Sequence, residues 1–266
     1  MAKRMEKKYI PLAAYFLKAT LNEVKLTYTA LENIIGQQLP NAAYLNSSWW
    51  KKTKPPAMHF QAWVEADYYV KEIELGRSVT FAKISDMLFD VNSDEKESED
   101  ILIIRPVDLE DARSIIQLHQ AIDSESDFML FGKEERKMTV QSIRKQINEW
   151  KKSLNSNMFV GILNGEFAGY IAIIGGPSPR AKYRASLVIG VRKVFYGKNV
   201  GSSLMKKAES WAKEIDISRL ELTVVENNER AINLYKKMGY TIEGTRSHSL
   251  KINDEFVNEY YMGKLL

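Results

Sequence analysis

Apolar positions along the chain change period repeatedly, and each change marks an element. From residue 101 the run "ILIIR" ends at Arg105-Pro106, and Asp108 precedes a helical pattern through Ala112, Ile115, Ile116 and Leu118: a strand, an Asp N-cap and a helix. "TVQSIRKQINEWKKSL" puts Val140, Ile143, Ile147 and Trp150 on one helical face. Strands Met158 to Leu163 and Glu166 to Ile174 flank Asn164-Gly165, a two-residue hairpin signal. The strand "YRASLVIGV", the turn "VFYGKNVGSS", the helix "GSSLMKKAESWAKEI", the strand "RLELTVV", the helix "ERAINLYKKMG" and two final strands, "YTIEGTRSHSLKI" and "EFVNEYYMGKLL", complete this part. The order β-α-α-β-β-β-α-β-α-β-β predicts an α/β (α+β) domain, a mixed and mostly antiparallel sheet with helices on both faces.

The first part is patterned differently. A short helix follows Pro11, and "LTYTALENIIGQQLP" reads as a helix opened by Thr27 or Thr29 and stopped by Gly36. A short helix around Ala62 to Ala66 and the strands "YYVKEIEL" and "SVTFAKI" complete a small α+β domain over residues 1–89. Between the two parts, "DVNSDEKESED" has a single apolar residue, Val91, too few to offset the entropy of ordering a packed core. Residues 90–100 are therefore expected to be an acidic linker to a domain over 101–266. A solvated acidic loop within one domain is the alternative reading.

Charge sharpens that division. Residues 1–85 hold 12 Lys and Arg against 7 Asp and Glu, residues 86–100 hold 1 against 7, and residues 101–266 hold 25 against 20. Two mildly basic parts thus flank an acidic connector. The chain has no cysteine, which removes disulfides, thiolate nucleophiles and zinc-thiolate sites, and its three histidines show no metal-ligand spacing. No metal is expected. No run of about eighteen uncharged apolar residues occurs, and the N-terminal apolar stretch, broken by Lys18, is short for a secretory signal. The expectation is a cytoplasmic protein without a membrane partner.

Two stretches carry candidate chemistry. In "VFYGKNVGSSLM" a strand leads through Gly197 and Gly201 into a helix, whose first N–H groups and partial positive charge suit an anion. Helix–strand packing at Gly201 would explain the same glycines. In "LTVVENNERAINLYKKMGYTIEG", Asn228 opens a helix, Ala231 and Tyr235 follow on it, and Gly239 ends it. Asn228 also fits a plain N-cap, and Tyr235 a core aromatic.

Taken together, that turn, the strand "LELTV" and N-x-x-A-x-x-L-Y-x-x-x-G-Y from Asn228 to Tyr240 resemble the GNAT superfamily of acyl-CoA-dependent N-acyltransferases, from Ile101 to the C-terminus. The resemblance implies a V-shaped splay between "SLVIGV" and "LELTVV" that admits acetyl-CoA. It implies that backbone groups of Ile189, Gly190 and Val191 pair with the pantetheine arm and that Tyr196, Gly197, Lys198, Asn199, Val200, Gly201 and Ser202 form the pyrophosphate turn. Asn228 would hydrogen-bond the pantetheine, and Tyr235 would protonate the departing thiolate. The implied reaction is direct attack of a primary amine, on a small molecule or a protein, at the thioester carbonyl, without metal or covalent intermediate.

The chain departs from the family's turn at two places. Where relatives carry Arg or Gln it has Tyr196, so that side chain's contribution must come from elsewhere. Where they carry Gly it has Asn199, which tolerates the left-handed conformation. CoA binding is expected to survive both. Some relatives carry a basic carboxylate where this chain has Thr223. Glu221, two residues earlier on the same strand face, could act through a water or could be an ion-paired strand residue. Glu125, Asp127 and Glu134 fall in the region that shapes the family's acceptor pocket and suggest a cationic acceptor.

The first domain resembles a small uncharacterised bacterial domain with the pattern Y-x-P-L…LT…I-I-G-x-x-L-P…WW…AW. Trp49, Trp50 and Trp63 beside Lys51, Lys52 and Lys54 suit nucleic acid, and equally suit an aromatic core with a solvated lysine rim. The expectation is an N-acetyltransferase with Tyr235 as general acid, with a homodimer and nucleic acid as further partners. The alternative is a non-catalytic CoA-binding or nucleic-acid-associated protein on a degenerate acetyltransferase scaffold.

Overall fold

The computed structural model describes residues 5–51, 58–84, 100–132 and 134–266. It groups into two compact units, Met1–Asp111 with Ile162–Phe167, and Ala112–Gly161 with Ala168–Leu266. The expected linker, apart from Asp100, lies outside the described residues, as do Lys52 and Lys54.

The first unit runs α1 (Ile10–Lys18), β1 (Glu23–Thr27), α2 (Tyr28–Ile35), α3 (Asn41–Leu45), α4 (Ser47–Lys51), α5 (Gln61–Val64), β2 (Tyr68–Glu74), β3 (Ser78–Lys83) and β4 (Leu102–Pro106). Pro11 sits in the first turn of α1, where its missing N–H leaves no bond unmade. Of the two threonines considered for α2, Thr27 is the cap: its hydroxyl accepts the Ala30 N–H at 3.1 Å, and Gly36 ends the helix at φ 79°. β1, β3 and β2 form an antiparallel sheet in that order.

Trp50 and Trp63 are buried in this unit's core with Phe16, Tyr68 and Phe81. The Trp50 indole N–H is shared between Tyr28 Oη at 3.0 Å and the Ala43 carbonyl at 2.9 Å. Trp49 stacks flat on His59 with 3.8 Å between ring centres. Trp50 and Trp63 are therefore core aromatics, with no face free for base stacking. In the same unit the buried Arg105 guanidinium donates to both Asp111 oxygens, at 2.7 and 2.9 Å, and to the Asn33 carbonyl. Asn164 and Gly165 form the expected tight turn with φ of 50° and 86°. Asn33 donates its side-chain amide to the Gly165 carbonyl at 2.7 Å.

The second unit contains α6 (Ala112–Glu125), α7 (Val140–Lys152), most of β5 (Asn157–Leu163) and of β6 (Glu166–Gly175), β7 (Arg184–Val191), α8 (Val200–Glu214), β8 (Arg219–Val225), α9 (Glu229–Lys237), β9 (Thr241–Ile252) and β10 (Glu255–Leu265). Its strands follow the order β5-β6-β7-β8-β10-β9. β7 pairs antiparallel with β6, β8 with β10 and β10 with β9, while β7 and β8 run parallel. Helices flank this mixed sheet as the pattern predicts. α7 is opened by a reciprocal Thr139–Ser142 capping box, and Ile143 and Ile147 carry its buried face. No helix among the described residues is long and apolar enough to cross a membrane.

Candidate active site

Parallel pairing of β7 with β8 lasts three residues, Arg184 to Ser186 against Arg219 to Glu221. Beyond it the strands part, and Leu187 to Val191 on one side and Thr223 to Val225 on the other line a cleft of about 1050 Å³. A sheet opened this way leaves backbone donors and acceptors on its inner edges without a ladder, and such an edge is satisfied by an extended ligand lying along it. Gly190 is required where it stands: a Cβ there would come within 2.9 Å of Tyr170 and 3.0 Å of Ile122.

The turn after β7 closes one end of the cleft. Gly197 has φ 80° and Asn199 φ 58°, so Asn199 adopts the left-handed conformation expected of it and is the N-cap residue of α8. The first turn of α8 is closed by the Ser203 N–H on the Asn199 carbonyl at 3.0 Å. The N–H groups of Val200, Gly201 and Ser202 precede that bond, and all three residues line the cleft. Gly201 is also a packing glycine, since a Cβ would meet Leu234 at 3.1 Å. Both readings of this glycine are therefore compatible with one geometry.

Asn228 caps α9 by accepting the Ala231 N–H at 3.2 Å through its side-chain oxygen. That use leaves the side-chain NH₂ for another acceptor, and Asn228 lines the cleft. Tyr235, two turns further along α9, is buried and also lines the cleft. Burial, with the nearby Tyr170 adding to it, holds the Tyr235 hydroxyl well above the usual phenol range. It is protonated at any ordinary pH, the state a proton donor needs.

Most of the expected positions meet here: Ile189, Gly190, Val191, Tyr196, Gly197, Asn199, Val200, Gly201, Ser202, Asn228, Tyr235, Glu125 and Asp127 all line the cleft. Lys198, Glu134 and Glu221 are not among its lining. Glu221 pairs with Arg184 and, at 3.1 Å, with Arg219 Nε, and Ser186 Oγ lies 3.4 Å from it. Glu125 accepts the Lys193 N–H at 2.5 Å and lies 3.5 Å from Arg192 Nε, so its carboxylate braces the start of the turn.

Two groups of lining residues were not anticipated. Arg230, at the second position of α9, lies over the Tyr196 ring with its guanidinium carbon 3.5 Å from the ring centre. The turn's aromatic residue thus carries a cation from another element. Arg246, Ser249 and Glu259 also line the cleft, and Glu259 is a buried carboxylate. Alternation along β10 marks Glu259 as sharing a face with Val257 and Tyr261, but its burial depends on an irregularity in β9 that the sequence does not announce. No cluster of three or more metal-ligating side chains occurs among the described residues.

The sequence profile of the Acetyltransferase (GNAT) family matches residues 118–240, and that of a domain of unknown function (DUF7662) matches residues 9–85. The chain is similar to the crystal structure of an acetyltransferase of the GNAT family from Streptococcus pneumoniae, with 30% identity, a TM-score of 0.60, and coverage of 62% of this chain and 99% of that one. An L-amino acid N-acetyltransferase of Escherichia coli (strain K12) is 33% identical over 110 residues, 40% of this chain and 66% of the relative's length. A spermidine N(1)-acetyltransferase of the same organism is 26% identical over 160 residues, 60% of this chain and 83% of the relative. The chain belongs to the GNAT acetyltransferase family, whose acyl donor is acetyl-CoA.

Proposed function

We propose that this protein transfers the acetyl group of acetyl-CoA to a primary amine, with Tyr235 as general acid. The observation that carries the reading is the parting of β7 and β8 after Ser186 and Glu221, which opens a pantetheine-sized slot flanked by Asn228 and Tyr235. Acetyl-CoA supplies an activated acetyl thioester. Backbone groups of Leu187 to Val191 hold its extended arm, and the Asn228 amide donates to an arm carbonyl. The first N–H groups of α8 receive the pyrophosphate. Arg230 supplies a cation to the turn, with Tyr196 as its platform. When the neutral amine attacks the thioester carbonyl, the C–N bond forms as the C–S bond breaks, the Tyr235 hydroxyl donates its proton to the departing sulfur, and the nitrogen releases a proton to solvent, from which Tyr235 is reprotonated.

Glu221 is a poorer candidate for the base than its strand position alone suggests, because two arginines hold its carboxylate. Calorimetric titration of the full chain with acetyl-CoA tests the cleft assignment directly. Micromolar, saturable binding that desulfo-CoA reproduces supports it, and absence of binding at millimolar concentration overturns it.

A further inference from the structure

Resting on the acetyl-transfer reading, we infer that Glu259 and Arg246 form the acceptor subsite and that the acceptor is an α-amino acid, its ammonium received by Glu259 and its carboxylate by Arg246. Both side chains line the cleft, and among the described residues their side-chain partners come from β9 and β10. Glu259 of β10 stands directly opposite Val225 of β8, at the open end of the splay, and opposite Arg246 of β9. The β9–β10 register passes from Leu250–Val257 to Arg246–Glu259, so Ser247, His248 and Ser249 together face the single residue Asn258. His248 takes φ 49°, and its N–H is received by the Asn258 side chain at 3.0 Å. This bulge directs Ser249 onto Glu259 and lays Arg246 alongside. Bulges of this kind re-aim side chains at sites.

The charges in this corner are incompletely matched. Among the described residues both side-chain contacts of Glu259 reach Oε2, one from the Ser249 hydroxyl and one from Arg246 Nη1 at 3.5 Å. Oε1 is left to take a further donor. A carboxylate held 8% exposed beside a loosely paired arginine favours a second cation, and an ammonium provides three donors. Arg246 is half-exposed, with only that long ion pair and the Tyr261 ring 5.3 Å away among the described residues, so its planar fork can still take a carboxylate through two bonds. A diamine fits less well. With its first ammonium at Glu259, its second would meet the Arg246 guanidinium, and like charges at that range are rejected.

Steady-state transfer to L-amino acids, their carboxamides and 1,4-diaminobutane tests this, with acetyl-CoA affinity measured separately by calorimetry. The wild type should prefer each amino acid to its carboxamide by about tenfold or more in kcat/KM. Arg246→Gln should abolish that preference by lowering the amino acid's value alone. Glu259→Gln should lower kcat/KM for both by about tenfold or more with acetyl-CoA affinity unchanged. A wild type that uses carboxamides or the diamine as well as amino acids, or an Arg246→Gln enzyme that keeps the preference, overturns the inference while leaving the transferase reading intact. Failure to bind acetyl-CoA would remove both.

Discussion

The guanidinium carbon of Arg230 lies 3.5 Å from the centre of the Tyr196 ring, joining the second residue of α9 to the turn before α8. Tyr196 stands at the start of the turn, and Arg230 brings a cation to it from a different helix. Removing the cation as Arg230→Ala should weaken acetyl-CoA binding about tenfold, an amount ordinary for one charge-assisted contact. Tyr196→Phe keeps the ring and should bind within about twofold of wild type, while Tyr196→Ala should fall between. Calorimetry with acetyl-CoA at two salt concentrations separates these, since the Arg230 contribution should shrink as salt rises.

Tyr235→Phe removes only a hydroxyl from a buried ring and should leave acetyl-CoA affinity within about twofold. Turnover should fall by roughly a hundredfold or more, the usual contribution of a positioned proton donor. Because burial raises this phenol above its ordinary value, no loss of kcat from its ionisation should occur below about pH 10. A kcat profile from pH 7 to 10 in wild type and variant checks both statements.

His119 packs against Tyr170 at 4.4 Å between ring centres, and burial, followed by the Arg136 charge, pushes its imidazole down to about 4. Between the ordinary value of 6.5 and about 4 the unfolded chain takes up a proton here that the folded chain refuses, so stability falls as pH falls through that window. The effect at this one site should approach about 3 kcal/mol at the acid end. Denaturant unfolding at pH 7 and pH 4.5 should show a steeper loss for wild type than for His119→Leu, by about 2–3 kcal/mol.

Gly165→Ala should destabilise the protein by about 2–4 kcal/mol, combining a left-handed backbone with a steric clash. The glycine has φ 86°, and a Cβ would lie 2.3 Å from the Ala30 Cβ. Thermal unfolding of the variant checks this.

The hairpin shows how far sequence carries. Asn164-Gly165 announces a tight turn because its backbone preference is local, but the approach of Ala30 is not local and has no signature in the pattern. The same holds elsewhere. From residue 101 the elements follow their expected order, since long amphipathic helices and β-rich runs dominate there. β1, α3 and α4 are short, and the Trp49-Trp50 pair gave no sign that Trp50 enters the core while its neighbour stacks on His59. At the cleft, the places of Asn228, Tyr235 and the Gly197–Ser202 turn were legible because each is fixed by a strand–helix junction. Glu221 was credible on alternation alone, yet Arg184 and Arg219, which only the fold brings beside it, occupy its carboxylate. Arg230 and Glu259 went unseen for the converse reason: one depends on a partner from another element, the other on a bulge.

The most direct measurement is the release of free CoA thiol from acetyl-CoA by the full chain across a panel of primary amines, followed with wild type and Tyr235→Phe in parallel. Acetyl transfer through this cleft predicts release that saturates with at least one amine, depends on its presence, and drops by roughly a hundredfold in the variant. Release that is indifferent to every amine, or that survives unchanged in Tyr235→Phe, would contradict it.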